Sequence, residues 1–145
     1  MKPEKRISDF FKRHHVLTLA TVSSNQPWCS NCFYVYLEDE NVVAFTSDPK
    51  TRHVREAENQ NRIAGSVVLE TKLIGKIQGI QFLGIIEEPD ITLLEKVRHV
   101  YIRRFPMAML MDTTMWIVRL TYIKMTDNRL GFGKKIIWES DSSVS

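Results

Sequence analysis

Ala44-Phe45-Thr46-Ser47-Asp48-Pro49-Lys50-Thr51-Arg52-His53-Val54-Arg55-Glu56-Ala57 is the stretch on which the reading of this chain turns. Val42 to Phe45 are apolar and partly β-branched, the composition of a strand. Ser47 or Asp48 followed by Pro49 reads as a helix start, a capping side chain and then proline at the first helical position. Lys50, Arg52, His53 and Arg55 then crowd the first turns. A helix N-terminus carries partial positive charge and favours carboxylates, so basic groups there are mildly unfavourable unless an anion sits among them. Free backbone N–H groups, the hydroxyls of Thr46, Ser47 and Thr51, and these cations together describe a pocket for a phosphate. The plainer reading is a solvated basic helix face with Asp48 and Glu56 as counter-charges. The residues leave both open.

Composition narrows the class. The chain has 145 residues, 43% hydrophobic and 26% charged, enough for one domain with a real core. Its net charge of +3 is spread along the chain, which does not indicate a nucleic-acid partner. No apolar run reaches membrane-spanning length, and Met1-Lys2-Pro3-Glu4-Lys5-Arg6 does not read as a signal peptide, so the expected location is the cytoplasm. Cys29 and Cys32 form a C-x-x-C, but within a predicted strand they face opposite ways. With no second pair or histidine cluster they read as structural thiols, and no metal site is expected.

Around this centre the elements follow. Ile7, Phe10, Phe11 and His14 recur at helical spacing in a first helix from Pro3 to about His14. Strands are expected at Val16 to Ser23, Trp28 to Leu37, Val42 to Thr46, Ile63 to Leu69, Lys76 to Glu87, Trp116 to Met125 and Lys135 to Trp138. Asn25-Gln26-Pro27 forms a turn. Asp90 caps a third helix with a stripe of Ile91, Leu94, Val97, Tyr101 and Ile102, which Pro106 ends. Met107 to Thr114 has no clean period and reads as adaptable filler. The expected architecture is a mainly β protein, a six- to seven-stranded antiparallel split barrel with peripheral helices, spanning 1–139, with a disordered tail at 140–145. Both faces of Trp28–Leu37 are substantially apolar, so a helix or a second subunit should cover the face that the barrel does not.

Several stretches carry a resemblance. They are Trp28-Cys29-Ser30-Asn31 with Phe33-Tyr34, Lys50-Thr51-Arg52-His53, Gly79-Ile80-Gln81-Phe82-Leu83-Gly84, Arg103-Arg104-Phe105-Pro106, and Thr126 to Lys135 through Trp138. Together they resemble the pyridoxamine-5′-phosphate-oxidase-like, FMN-binding split-barrel family, and within it the bacterial YhbP-like branch. The resemblance implies a homodimer with FMN at the subunit interface and a role as an oxidoreductase of a small molecule; related barrels hold FAD, a deazaflavin or haem. A non-catalytic flavin- or phosphate-ligand-binding dimer is the alternative. It also implies a set of cofactor contacts. Asn31, Cys32, Phe33 and Tyr34 match the strand that lies along the flavin ring. Thr46, Ser47, Lys50, Thr51, Arg52 and His53 match the phosphate group of contacts, with Arg52 or His53 where the family usually has lysine. Gln78 and Gln81 match polar ring contacts, and Trp116 and Lys134 match the C-terminal cofactor or substrate region. Ser30 stands where many relatives carry an arginine, and no catalytic residue is implied. Membrane and nucleic-acid partners are not expected.

Overall fold

The computed structural model describes residues 1–141. Its helices are α1 (Lys5–Arg13), α2 (Arg52–Asn59) and α3 (Ile91–Arg104). Its strands are β1 (Val16–Ser23), β2 (Gln26–Phe33), β3 (Val35–Leu37), β4 (Val42–Ser47), β5 (Arg62–Val68), β6 (Gln78–Glu87), β7 (Thr114–Asp127) and β8 (Lys135–Glu139). One antiparallel sheet joins them in the order β2-β1-β5-β6-β7-β4-β3, with β8 added on β7. The two edges, β2 and β3, are consecutive stretches of chain separated only by Tyr34, so the sheet curls back on itself as a split barrel.

Tyr34 makes that break. Its N–H donates to the His15 carbonyl, and its hydroxyl donates to the Phe11 carbonyl at 2.6 Å. The expected single strand Trp28–Leu37 is therefore two, and eight strand segments replace the expected seven. The preceding turn is Ser24-Asn25, both at positive φ, so β2 begins at Gln26 and contains Pro27. Proline is tolerated there because β2 is an edge strand.

The core forms where alternating strand positions meet the helices. Ile7, Phe10 and Phe11 of α1 pack into it with Leu17, Leu19, Phe45, Phe82, Ile123 and Met125. Phe11 stacks on Tyr36 at 4.7 Å between ring centres. On α3, Asp90 caps as expected by accepting from Leu93 N–H at 2.8 Å, and Val97 and Tyr101 are buried. Ile91, expected in the buried stripe, is 82% exposed, and Leu93 and Leu94 are the residues of the first turn that pack against the core. Pro106–Leu110 forms a 3-10 turn, and Met107, Met109 and Met111 are exposed. They do not fill the core. At the C-terminus, Ser140 N–H donates to the Thr121 carbonyl and Asp141 pairs with the Met1 ammonium, so the described part of the expected tail is tied down. Residues 142–145 lie outside the described residues.

Candidate functional site

The stretch between β4 and α2 builds the site. Asp48 does not cap the helix. Its Oδ1 accepts from Lys50 N–H at 2.8 Å, and its carbonyl accepts from Thr51 N–H, so Pro49-Lys50 forms a turn ahead of the helix. The N-cap is Thr51, whose side chain makes no capping bond, because its hydroxyl donates back to the Asp48 carbonyl. The first-turn N–H groups of α2 are thus left without a side-chain cap.

Three polar side chains converge at this helix start. Ser47 Oγ lies 2.7 Å from His53 Nε2 and 3.3 Å from Thr51 Oγ1, and Thr51 Oγ1 lies 3.4 Å from the same imidazole nitrogen. Burial pushes the His53 pKa below its ordinary value, which favours the neutral imidazole. Lys50 is exposed at the rim. Thr46 does not join this cluster. Strand alternation turns it to the other face of β4, where its hydroxyl is 3.5 Å from the Tyr101 hydroxyl.

Arg52 is held from two sides. Its Nε donates to Glu56 at 2.9 Å, and its guanidinium carbon lies 4.0 Å from the centre of the Trp28 ring. Glu56 is 8% exposed, and its other oxygen accepts from Thr21 of β1 at 2.8 Å. The hydrogen bond from Arg52, then that from Thr21, holds the Glu56 carboxyl below the usual range. The terminal nitrogens of Arg52 have no hydrogen-bond partner among the described residues. The sequence names Glu56 as a counter-charge, and it does pair with Arg52, but neither its burial nor the parts of Thr21 and Trp28 are readable there. Trp28 and Thr21 are a register pair at the far end of the β1–β2 hairpin, and that register is what carries them to α2.

The remaining expected residues fall elsewhere. Asn31 accepts from Thr18 on the outward face of the hairpin, and Gln81 lies on the outward face of β6. Gln81 lines a cavity of ≈ 350 Å³ with Thr18, Cys29, Ser66, Tyr122 and Lys124. Because paired residues share a face, Ala20 and Cys29 look to this cavity while Thr21 and Trp28 look the other way, toward Arg52. Cys32 is partly buried, and burial pushes its thiol up to about 11. Phe33 is 56% exposed, and its carbonyl accepts from the Tyr101 hydroxyl at 3.2 Å. The Tyr34 side chain is wholly buried and its N–H is committed to the His15 carbonyl.

Gln78 and Lys134 make no contact with the Arg52 cluster within one protomer, whereas Trp116 lies at the same end of β7 as Ser47, two residues from Thr114. Ser47 pairs with Thr114 at one end of β7, and Gln78 pairs with Asp127 at the other. At about 3.3 Å per residue those ends are roughly 40 Å apart along the strand. Gln78 is buried and accepts from Arg13, and Lys134 sits in the turn beyond Asp127. Trp116 is buried beside Phe45, and its indole N–H is buried without a partner among the described residues.

A phosphate monoester fits the residues at the α2 start. Uncapped N–H groups, two hydroxyls, a neutral imidazole and a guanidinium with two uncommitted nitrogens are the donors such a group requires. Among the described residues there is no His/Cys/Asp/Glu cluster able to hold a metal ion, and no helix is long and apolar enough to cross a membrane.

Comparison with known proteins agrees with this fold. Among solved structures, a haem-binding protein from Mycobacterium smegmatis superposes with a TM-score of 0.78 at 18% identity, covering 96% of this chain and 59% of that one. The haem storage protein HutZ from Vibrio cholerae gives 0.67 at 20% identity over 83% of this chain and 91% of that chain. An FAD-binding protein from Mesorhizobium loti gives 0.67 at 13% identity with the same coverage. At these identities the likeness shows the split-barrel fold alone. No family model matches the sequence. Curated relatives do. The UPF0306 protein of Photorhabdus laumondii is 40% identical over 133 residues, 92% of this chain and 93% of that protein. The UPF0306 protein YhbP of Escherichia coli is 39% identical over 140 residues, 95% of this chain and 94% of that protein. With identity of this order over nearly the full length of both chains, the protein belongs to the UPF0306 family.

Proposed function

We propose that the protein is a homodimeric FMN-binding flavoprotein of the pyridoxamine-5′-phosphate-oxidase-like type, acting as an oxidoreductase on a small molecule. The convergence of Ser47, Thr51 and His53 at the uncapped start of α2, whose first residue Arg52 keeps its terminal nitrogens free, carries this reading. The phosphate would rest there. The ring would lie along Asn31 to Tyr34, where β2 is a sheet edge and the outward backbone groups not already bonded to β1 or Tyr101 could pair with a flat polar heterocycle. A bound flavin supplies the electron transfer. The protein's share is to hold and orient it and to shield it from water. That several structural neighbours are named for haem or FAD binding supports a planar prosthetic ligand on this fold.

The dimer follows from the distribution of the expected contacts. Gln78 and Lys134 make no contact with the Arg52 cluster in their own protomer, and a second copy related by a two-fold axis would be the route by which they meet a ligand there. Trp28, Phe33, Leu83 and Ile137, all exposed, provide apolar surface for such a contact.

The visible absorption spectrum of purified protein, recorded after addition of excess FMN and desalting, tests the reading. A retained flavin band at one per protomer is expected, on a particle of dimer mass. Loss of all flavin from a folded protein overturns it. A flavin retained and reducible by dithionite, but not reduced by NADH or NADPH, points to the non-catalytic alternative.

A further inference from the structure

Arg52 and Glu56 are an i, i+4 pair on α2, and a pair of this kind on an open surface contributes little. This one is different because the carboxylate is nearly inaccessible and is shared with another element. Glu56 is 8% exposed, and its second oxygen is bound to the buried Thr21 hydroxyl of β1 at 2.8 Å. Burying a carboxylate is costly unless each oxygen is satisfied, and here each has one partner. Trp28, the register partner of Thr21, lies against the guanidinium at 4.0 Å. Arg52 is therefore fixed at Nε and on one face, and only its terminal nitrogens stay uncommitted.

We infer that Glu56 is a positioning residue that makes the site selective for a phosphorylated ligand, by fixing Arg52 so that its two terminal nitrogens meet phosphate oxygens. The inference deepens the flavin reading and rests on it for the natural ligand. A guanidinium left to rotate freely loses side-chain entropy when it binds, whereas a fixed one does not. Two parallel N–H donors match two phosphate oxygens, a geometry that lysine does not offer. The Glu56 charge also cancels that of Arg52 in the empty site, so the selectivity comes from placement of donors more than from net charge.

The test compares FMN with riboflavin, which differ only in the phosphate, by fluorescence titration of wild-type protein and Glu56→Gln. The variant should bind FMN of the order of tenfold more weakly, the lower end of what outer partners of a bound group contribute. Its riboflavin affinity should not change. Equal loss of both flavins would mean that Glu56 merely ties α2 to β1, and unchanged FMN binding would mean that it does nothing for the ligand; either overturns the inference while leaving the flavin reading standing. Thr21→Val, which keeps the Arg52–Glu56 pair but frees one carboxylate oxygen, should move the FMN-to-riboflavin ratio the same way by less, and it serves if Glu56→Gln does not fold. Inorganic phosphate, followed by tryptophan emission, separates the two readings. Glu56-dependent phosphate binding without flavin binding upholds the inference and overturns the flavin reading. Wild-type protein that takes neither flavin nor phosphate overturns both.

Discussion

Ser47 Oγ and His53 Nε2 are 2.7 Å apart, and this contact joins the end of β4 to the first turn of α2. Burial lowers the His53 pKa, and no carboxylate touches the ring among the described residues to raise it again. Its partners are the Ser47 and Thr51 hydroxyls, with Lys50 and Arg52 as the neighbouring cations. The imidazole is thus neutral near pH 7 in the ligand-free protein. A bound phosphate dianion would favour the imidazolium, so FMN binding takes up a proton. Affinity should rise as pH falls from 8 toward about 6, where the phosphate itself begins to take its second proton. His53→Lys should flatten that rise and tighten binding at pH 8 by about 1 kcal/mol. Titrations at a series of pH values check both. A flat wild-type profile would remove His53 from the phosphate site.

The same imidazole acts on stability with the opposite sign. A base whose folded pKa is depressed contributes stability that is present above its unfolded value, near 6.5, and is lost as pH falls below it. The ligand-free protein should therefore unfold at lower urea concentration at pH 5.5 than at pH 7.5, and His53→Gln should reduce this difference. Equilibrium unfolding at the two pH values measures it.

In the proposed site Arg52, held by Trp28 and Glu56, would give the phosphate a charge-assisted contact. Arg52→Ala should weaken FMN binding by about 1.5–3 kcal/mol. Riboflavin should bind as before. Unchanged FMN affinity in a folded Arg52→Ala protein would remove the phosphate from this helix start.

That a helix follows β4, with basic residues crowded into its first turn against the dipole, was legible in local sequence, although the helix begins at Arg52, three residues later than the Ser47-Asp48-Pro49 signal implies. What local sequence does not reveal is which strand comes to lie beside it. Glu56 read as a solvated counter-charge, yet β1 buries it through Thr21. Trp28 read as one aromatic in an alternating strand, yet the β1–β2 register carries it under Arg52. The break at Tyr34 was equally hidden, because it depends on a carbonyl of His15 and one of Phe11, both distant in sequence. Apolar alternation located the core strands well. It failed at the ends of elements, where hydrogen bonds to other elements decide: Asp48 capped its own turn instead of α2, and β7 ran on to Asp127 because β6 continued beside it.

Asp127 ends β7 as a fully buried carboxylate. Oδ1 accepts from the Arg129 backbone and Nε at 3.0 Å each, Oδ2 accepts from Arg129 Nη2 at 2.9 Å, and Arg6 lies at 3.8 Å. The Arg129 hydrogen bond holds the carboxyl below its ordinary pKa. Its stabilising effect is therefore present above about pH 3.9 and is lost as pH falls through the lowered value. Asp127→Ala should destabilise the fold by about 1.5–3 kcal/mol at neutral pH, read from the urea midpoint. The difference from wild type should shrink in acid.

Gly84 sits where the β6–β7 register shifts, directly after Leu83. A Cβ at this position would lie 2.5 Å from Val118 Cγ1 and 2.7 Å from the Arg119 carbonyl oxygen. Val118 is wholly buried and the carbonyl belongs to the paired strand, so neither moves without disturbing the ladder. Gly84→Ala should therefore cost about 1–3 kcal/mol as overpacking. Gly75, in the 3-10 turn Ile74–Lys76, has no atom within 4 Å of its would-be Cβ. The same substitution there should be neutral or stabilise by about 0.4–1 kcal/mol, through the lower entropy of the unfolded chain. Urea midpoints of the two single variants give the comparison. Equal effects would mean that the strands part at the bulge more easily than their packing implies, and that the β6–β7 register is not held by steric exclusion at Gly84.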